Sequence, residues 1–167
     1  MAALLTSVLD DSEKLAGYFE LCREYDIGIL PPDINESRDN FTVSGNNIRF
    51  GLAAVKNIGR GFVKTLIDER EKNGRFASMQ DFIERMHEKE LNRRAMENLI
   101  KCGAFDGTGA YRAQLLRVFE QVMDGVSDTK SRNIAGQIDL FGLDPDAGKG
   151  GMELPDIPEF DNRTILQ

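Results

Sequence analysis

The chain has 167 residues, 41% of them hydrophobic, and a formal net charge of −7, which allows one domain with a modest core and some additional chain. No apolar run approaches the roughly 20 residues of a membrane span, and the first residues lack the basic region of a signal peptide. The two cysteines and the single histidine are isolated, which excludes a zinc site or disulfide framework and fits a cytoplasmic protein.

The first 51 residues predict a helix, an extended connector and a β-hairpin. Asp11 precedes apolar residues at helical spacing over 15–22, a pattern typical of an N-capped amphipathic helix. Pro31-Pro32 then favours extended backbone. Apolar and polar residues alternate on both sides of Gly45-Asn46, which indicates a β-hairpin.

From Leu52 the hydrophobic period is helical. The first two predicted elements are a short helix over 52–57 and a second helix from Phe62 to about Lys72. A third helix is capped by Ser78, with Asp81 at the capping-box position, and a fourth is capped by Asn92 and ended by Gly103. A fifth helix runs from about Tyr111 to Met123 and stops at Gly125. No periodicity follows, so 124–167 is predicted to be a flexible linker and tail, with 124–136 and 142–161 mobile. The fold class predicted is mainly α with one small β-hairpin.

The turn Ile58-Gly59-Arg60-Gly61 has the pattern of a helix-hairpin-helix. Two glycines permit positive φ and close approach of the backbone, and the free N–H groups at the start of the next helix suit a phosphate. Such a hairpin holds duplex backbone without reading bases. The candidate DNA-backbone residues are Lys56, Ile58, Gly59, Arg60, Gly61 and Lys64. The alternative is a tight turn that serves only to join two helices.

The charge distribution supports a polyanionic partner despite the acidic total. Residues 44–101 carry twelve Lys or Arg against eight Asp or Glu, whereas 1–43 have a net charge of −6 and 138–167 a net charge of −5. A basic segment between acidic flanks attracts nucleic acid, or it is simply a solvated face.

A second turn, Cys102-Gly103-Ala104-Phe105, has phenylalanine where the pattern requires its second glycine. A bulky residue there would block a phosphate, so we expect this hairpin to be mainly structural and to pack on the first as a pseudo-repeat. A base-excision glycosylase would place a catalytic aspartate about where Asp81 stands. Asp81 lies beside Ser78 in the first turn of a helix, however, where capping explains it better.

Four strings carry a more specific resemblance: ILPPDINES (29–37), IRFGLAAVKNIG (48–59), LNRR (91–94) and LIKCGAFD (99–106). In this order they resemble the catalytic alpha subunit of bacterial DNA polymerase III, the C-family replicative polymerases. The resemblance implies that 1–39 is a helical segment and Pro-rich connector at the end of the fingers region. It also implies that 40–51 is a β-hairpin, that 52–123 is a tandem helix-hairpin-helix core for double-stranded DNA, and that Met1 is an internal residue of a longer polypeptide.

The same resemblance limits the chemistry. The family's catalytic aspartates and the Mg²⁺ ions that they hold lie in the palm, upstream of the matching segment. We therefore expect no catalytic residue, no metal ligand and no cofactor in this chain, whereas the parent protein is a DNA-directed DNA polymerase, a nucleotidyltransferase. Its partners would include the remaining domains of the alpha subunit, and its location would be the cytoplasm.

Residues 136–142, GQIDLFG, place a Leu-Phe pair in a polar stretch. Gln137, Ile138, Asp139, Leu140 and Phe141 are similar to the internal motif by which this polymerase family binds its sliding clamp, the beta subunit. Leu and Phe would enter a pocket on the clamp and Gln would donate hydrogen bonds at its edge. The alternative is that Leu140 and Phe141 fold back onto the fifth helix.

The function expected is thus non-sequence-specific duplex binding together with clamp attachment during DNA replication. The alternative is a structural connector between polymerase domains that makes no DNA contact.

Overall fold

The computed structural model of the chain describes residues 1–9, 11–89, 91–134 and 154–160. In chain order it contains α1 (Ala2–Ser7), α2 (Ser12–Glu24), β1 (Ile29–Leu30), β2 (Thr42–Ser44), β3 (Asn47–Arg49), a 3-10 helix (Leu52–Ala54), α3 (Arg60–Asn73), α4 (Met79–Met86), α5 (Arg93–Lys101), a second 3-10 helix (Asp106–Thr108) and α6 (Arg112–Ile134). The prediction of a mainly helical fold with a small β-hairpin is confirmed. None of the described helices is long and apolar enough to cross a membrane.

The sheet contains the predicted hairpin and one further strand. β2 and β3 are antiparallel, with Val43 opposite Ile48, and Gly45 in the connecting turn has a φ of 61°. β1 adds in parallel to the other side of β3, giving the order β1-β3-β2. The sequence pattern predicted only an extended segment there, because a two-residue strand is too short to show a period.

A small N-terminal core lies between α1, α2 and the sheet. Its buried residues are Leu5, Cys22, Phe41 and Ile48. The rings of Phe19, Phe41 and Phe50 contact one another with centroids 4.9 to 6.2 Å apart. Phe50 also packs against the main core, so this small core joins the helical one.

The main core lies among α3, α4, α5 and α6. Its fully buried large side chains include Leu66, Phe82, Met96, Leu99, Ile100 and Phe105. The Phe82 ring packs edge-on against both Phe76 and Phe105, with centroids 4.9 and 5.2 Å away. The centre of the fold is therefore apolar and aromatic.

The Pro-rich connector is held against this core by hydrogen bonds. The Asn35 side chain both donates to the Phe76 carbonyl (3.0 Å) and accepts from the Phe76 N–H (2.8 Å). Arg70 Nη1 donates to the Ile34 carbonyl at 2.7 Å, and the Ile34 N–H donates to the Ala104 carbonyl at 2.9 Å. The connector thus contacts the α3–α4 turn and the second hairpin together.

Helix caps follow the sequence prediction. The side chains of Asp11, Ser78 and Asn92 accept hydrogen bonds from the first-turn N–H groups of α2, α4 and α5. Asp81 accepts from the Ala77 N–H at 2.9 Å and pairs with Arg85 at 3.3 Å, which is a capping role and not that of a glycosylase aspartate.

Three predicted boundaries are wrong. The helix over 52–57 is only the 3-10 helix Leu52–Ala54, and α3 begins at Arg60, two residues before its predicted start. α6 continues through Gly125 to Ile134 and does not stop near Met123. Val126 packs against the main core one turn beyond Val122, and this contact stabilises the continued helix.

Residues 154–160, which the sequence predicted to be mobile, lie against the N-terminus of α6. The Glu159 carboxylate accepts from the N–H groups of Arg112 (2.8 Å) and Ala113 (3.1 Å). Gln114 Nε2 donates to the Pro155 carbonyl at 2.9 Å, and Leu154 packs against the main core. Glu159 therefore caps a helix that begins 47 residues earlier in the chain.

Candidate nucleic-acid interface

In the first hairpin, residues 57–61, the residue with positive φ is an asparagine and not a glycine. Asn57 has a φ of 61°, whereas Gly59 is extended, with φ −72° and ψ 144°, as the residue before α3. The prediction that the glycines supply positive φ is wrong. Asparagine tolerates the left-handed region better than other residues with side chains, so it makes the turn at little cost.

The two glycines serve no packing inside the described structure. A Cβ atom built at Gly59 or at Gly61 would have no heavy atom within 4 Å. Gly61 lies in the first turn of α3, where alanine would be more favourable by roughly 0.5–1 kcal/mol. What the glycines provide is a bare backbone surface on the outside of the hairpin.

The N-terminus of α3 also lacks a cap. No side chain among the described residues accepts from its first N–H groups, unlike α2, α4, α5 and α6, each of which receives a carboxylate, hydroxyl or amide oxygen. Val63 N–H bonds the Gly59 carbonyl at 3.0 Å, so the regular ladder begins there. The earlier donors and the positive end of the helix dipole face outward beside Arg60 and Gly61, which are both exposed.

The cations beside this N-terminus have no partners among the described residues. Lys56, Arg60 and Lys64 are exposed, and none forms an ion pair or side-chain hydrogen bond with a described residue. α3 has no acidic residue in its first turn. Positive side chains near a helix N-terminus interact unfavourably with the positive end of the helix dipole. An anion bound between them would remove that repulsion.

Other basic residues of the segment 44–101 form ion pairs and hydrogen bonds within the fold. Arg85 bonds the carboxylate of Glu69 at 3.0 Å and the Gly74 carbonyl at 2.9 Å, and its guanidinium lies 4.3 Å from the centre of the Phe76 ring. Lys89 pairs with the same carboxylate. Hydrogen bonds from Lys89, Asn73 and Arg85 lower the pKa of the buried Glu69 carboxyl to about 2, against the opposing effect of burial.

Ile58, predicted as a DNA-backbone residue, is buried to 8% exposure in the main core with Val55 and Phe62. Its side chain therefore anchors the hairpin, and only its backbone can face a ligand. The hairpin is further held by Asn98 on α5, whose Nδ2 donates to the Lys56 carbonyl at 3.0 Å. Of the predicted residues, the structure brings Lys56, Gly59, Arg60, Gly61 and Lys64 together at one exposed corner.

A cleft of about 490 Å³ runs beside α3, between that helix and the connector. Its lining residues are Arg38, Asp39, Asn40, Ala53, Arg60, Lys64, Ile67, Asp68 and Glu71. Along α3 the cations Arg60 and Lys64 precede the acids Asp68 and Glu71, so the end of the cleft next to the hairpin is positive. Sequence reasoning did not identify this cleft, because Arg38 and the α3 residues are far apart in the chain.

Comparison with known proteins agrees with this geometry. A family model described as the helix-hairpin-helix motif matches residues 26–115. The chain belongs to the helix-hairpin-helix family.

Relatives of this helix-hairpin-helix chain are polymerase subunits. It is 43% identical over 148 residues to the DNA polymerase III subunit alpha of Saccharopolyspora erythraea, covering 89% of this chain and 12% of that protein. It is also 43% identical over 141 residues to that of Thermus aquaticus (84% and 12%) and over 147 residues to that of Deinococcus radiodurans (86% and 11%). The chain spans about 12% of the length of the curated relatives it matches.

The second hairpin, residues 102–105, is covered by other residues of the fold. Ala104 and Phe105 are each 1% exposed, and Gly103, with a φ of 84°, ends α5. A Cβ atom at Gly103 would lie 2.2 Å from the Arg112 guanidinium, so the surface above this glycine is already covered. Arg112 pairs with Asp106 at 2.6 Å. These contacts agree with the expectation that the second hairpin is mainly structural.

The predicted clamp-binding residues Gln137, Ile138, Asp139, Leu140 and Phe141 lie outside the described residues. Among those that are described, no group of three or more His, Cys, Asp or Glu side chains is arranged to hold a metal ion.

Proposed function

We propose that this chain is the duplex-DNA-binding segment of a bacterial replicative polymerase of the DNA polymerase III alpha type. The observation that carries the proposal is the first hairpin. Among the described residues, nothing packs outside its two glycines, no side chain caps the helix N-terminus beside them, and no acid pairs with the flanking cations. Each of these features is unfavourable or unnecessary in the isolated fold. A phosphate at this corner makes all three favourable.

The interface holds the backbone and reads no bases. The α3 N–H groups beside Arg60 and Gly61 donate to phosphate oxygens, and Lys56, Arg60 and Lys64 supply charge around them. Duplexes of unrelated sequence should therefore bind alike. This suits a polymerase, which moves along DNA of every sequence.

Replacing Gly61 with valine tests this proposal. The fold has room for the side chain, since an added Cβ meets nothing within 4 Å, so stability should hold while duplex affinity falls about tenfold or more through obstruction of the phosphate. Gly17→Val is the matched control, because Gly17 is an exposed helical glycine in α2 with equally open space. Fluorescence anisotropy with a random-sequence duplex measures both variants. Equal affinities for the two would favour the alternative, a connector without DNA contact.

We further propose that the chain attaches the polymerase to its sliding clamp through Gln137, Ile138, Asp139, Leu140 and Phe141. This proposal rests on the motif, in which two large apolar side chains stand in a polar stretch. Burying both contributes roughly 3–6 kcal/mol before the cost of ordering the peptide. Replacing both Leu140 and Phe141 with alanine should abolish binding to the clamp in a calorimetric titration and leave duplex binding unchanged.

Nucleotidyl transfer and its Mg²⁺ ions belong, in this proposal, to other domains of the same polymerase, which also pack against this segment in the cytoplasm. The chain alone should show no primer extension with Mg²⁺ or Mn²⁺. Extension by a pure preparation would overturn this assignment.

A further inference from the structure

The exposed face of α5 lies directly beside the first hairpin. Asn98 Nδ2 donates a hydrogen bond to the Lys56 carbonyl at 3.0 Å, which joins α5 to the hairpin. Whatever backbone the hairpin holds therefore passes close to the residues that share a face of α5 with Asn98. Residues four apart on a helix share one face and lie about 6 Å apart along the axis.

Arg94 is the residue four positions before Asn98. Its side chain is exposed, and it forms no ion pair or side-chain hydrogen bond with a described residue. An arginine has a long side chain with a planar fork of donors that matches a phosphate group. Arg94 is therefore a cation that no described residue pairs with, within one helical turn of the contact between α5 and the hairpin.

The placement of charge at helix ends sets α5 apart in the same way as α3. α2 and α4 follow the dipole, with an acid in the first turn and an arginine in the last. α3 and α5 end in basic residues as well, but at the N-terminus each has arginine in its first turn and no acid there. α6 also begins with an arginine, but the Glu159 carboxylate caps that end. An arginine in the first turn is unfavourable with the helix dipole in the isolated fold.

Arg93, the neighbour of Arg94, has a different environment. It pairs with Asp124 at 2.5 Å and with Glu120 at 3.7 Å, which ties α5 to α6. Two adjacent arginines of equal charge thus have distinct surroundings: Arg93 pairs with α6, whereas Arg94 pairs with no residue in the described part of the chain.

We propose that Arg94 contacts the DNA backbone next to the phosphates held by the first hairpin, so that the interface extends from α3 across the hairpin onto α5. This inference rests on the proposed duplex binding. It adds to the hairpin a residue that lies outside the glycine motif.

The test compares Arg94→Gln with Arg93→Gln in the full chain, by anisotropy with a random-sequence duplex over a series of salt concentrations. At about 0.15 M salt, where charges beyond roughly 8 Å are screened, only a direct contact matters. Arg94→Gln should weaken binding about three- to tenfold and reduce the slope of log affinity against log salt by about one. Arg93→Gln removes the same charge and should change neither quantity by a comparable amount.

A third variant, Arg60→Gln, separates this inference from the proposed function. Loss of binding in Arg60→Gln with an unchanged Arg94→Gln would overturn the α5 contact and leave the hairpin in place. Equal losses in the Arg93 and Arg94 variants would also overturn it, because charge alone would then explain the effect. If none of the three weakens binding, both proposals fail.

Discussion

The carboxylate of Glu69 should make the stability of the fold depend on pH in a defined window. Its pKa in the folded chain is about 2, against an ordinary value of 4.5, because Lys89, Asn73 and Arg85 all bond the ionised form. A lowering of this size corresponds to about 3 kcal/mol of folding stability. Because the pKa is lowered on folding, that contribution is present in full above about pH 4.5 and disappears as the pH falls towards 2.

Glu69→Gln keeps the shape of the side chain and removes the charge. The variant should lose about 3 kcal/mol in its free energy of unfolding at pH 7, and the difference from the parent should shrink steadily below pH 4.5. Urea denaturation followed by circular dichroism from pH 7 to pH 3 measures both. Glu71→Gln is the control, since the exposed Glu71 meets Arg38 only at 3.5 Å and should contribute under about 1 kcal/mol. The reasoning is refuted if the two variants are equally stable at pH 7.

Two further substitutions test other contacts. Glu159→Ala should cost about 1–2 kcal/mol and speed amide exchange at the start of α6, whereas Asp156→Asn, on the same segment but exposed, should do neither. Urea denaturation and hydrogen exchange distinguish the pair, and equal behaviour would contradict the cap. Gly51→Ala should destabilise the fold by about 1–3 kcal/mol, because its Cβ would lie 2.6 Å from the Asp39 carbonyl oxygen; an unchanged urea midpoint would contradict that close contact.

Local patterns predicted much of this fold. The caps by Ser78 and Asn92 and the turn at Gly45-Asn46 depend on residues within a few positions of one another, so periodicity and turn chemistry identify them. The hairpin cations could be predicted from their spacing around the glycines. The same spacing did not show which residue turns the chain, because both asparagine and glycine accept positive φ, and the structure places it at Asn57.

The remaining features depend on contacts between distant parts of the chain. Glu159 caps α6 from 47 residues away, and no period in an acidic, Pro-containing stretch indicates such a contact. Gly125 predicted a helix end, yet packing of Val126 on the main core outweighs the cost of a glycine inside α6. That Arg93 pairs with α6 while Arg94 pairs with no described residue could not be predicted either, since the two are neighbours of the same residue type in the sequence.

The central claim is that the first hairpin holds DNA by its backbone, and the salt dependence of duplex binding tests it most directly. Three phosphate contacts, from Lys56, Arg60 and Lys64, predict a slope of log affinity against log salt of about −3, steeper by about one if Arg94 contributes. Two duplexes of unrelated sequence should give the same slope and the same affinity. An affinity that does not change with salt concentration, or that differs widely between the two sequences, would contradict the account.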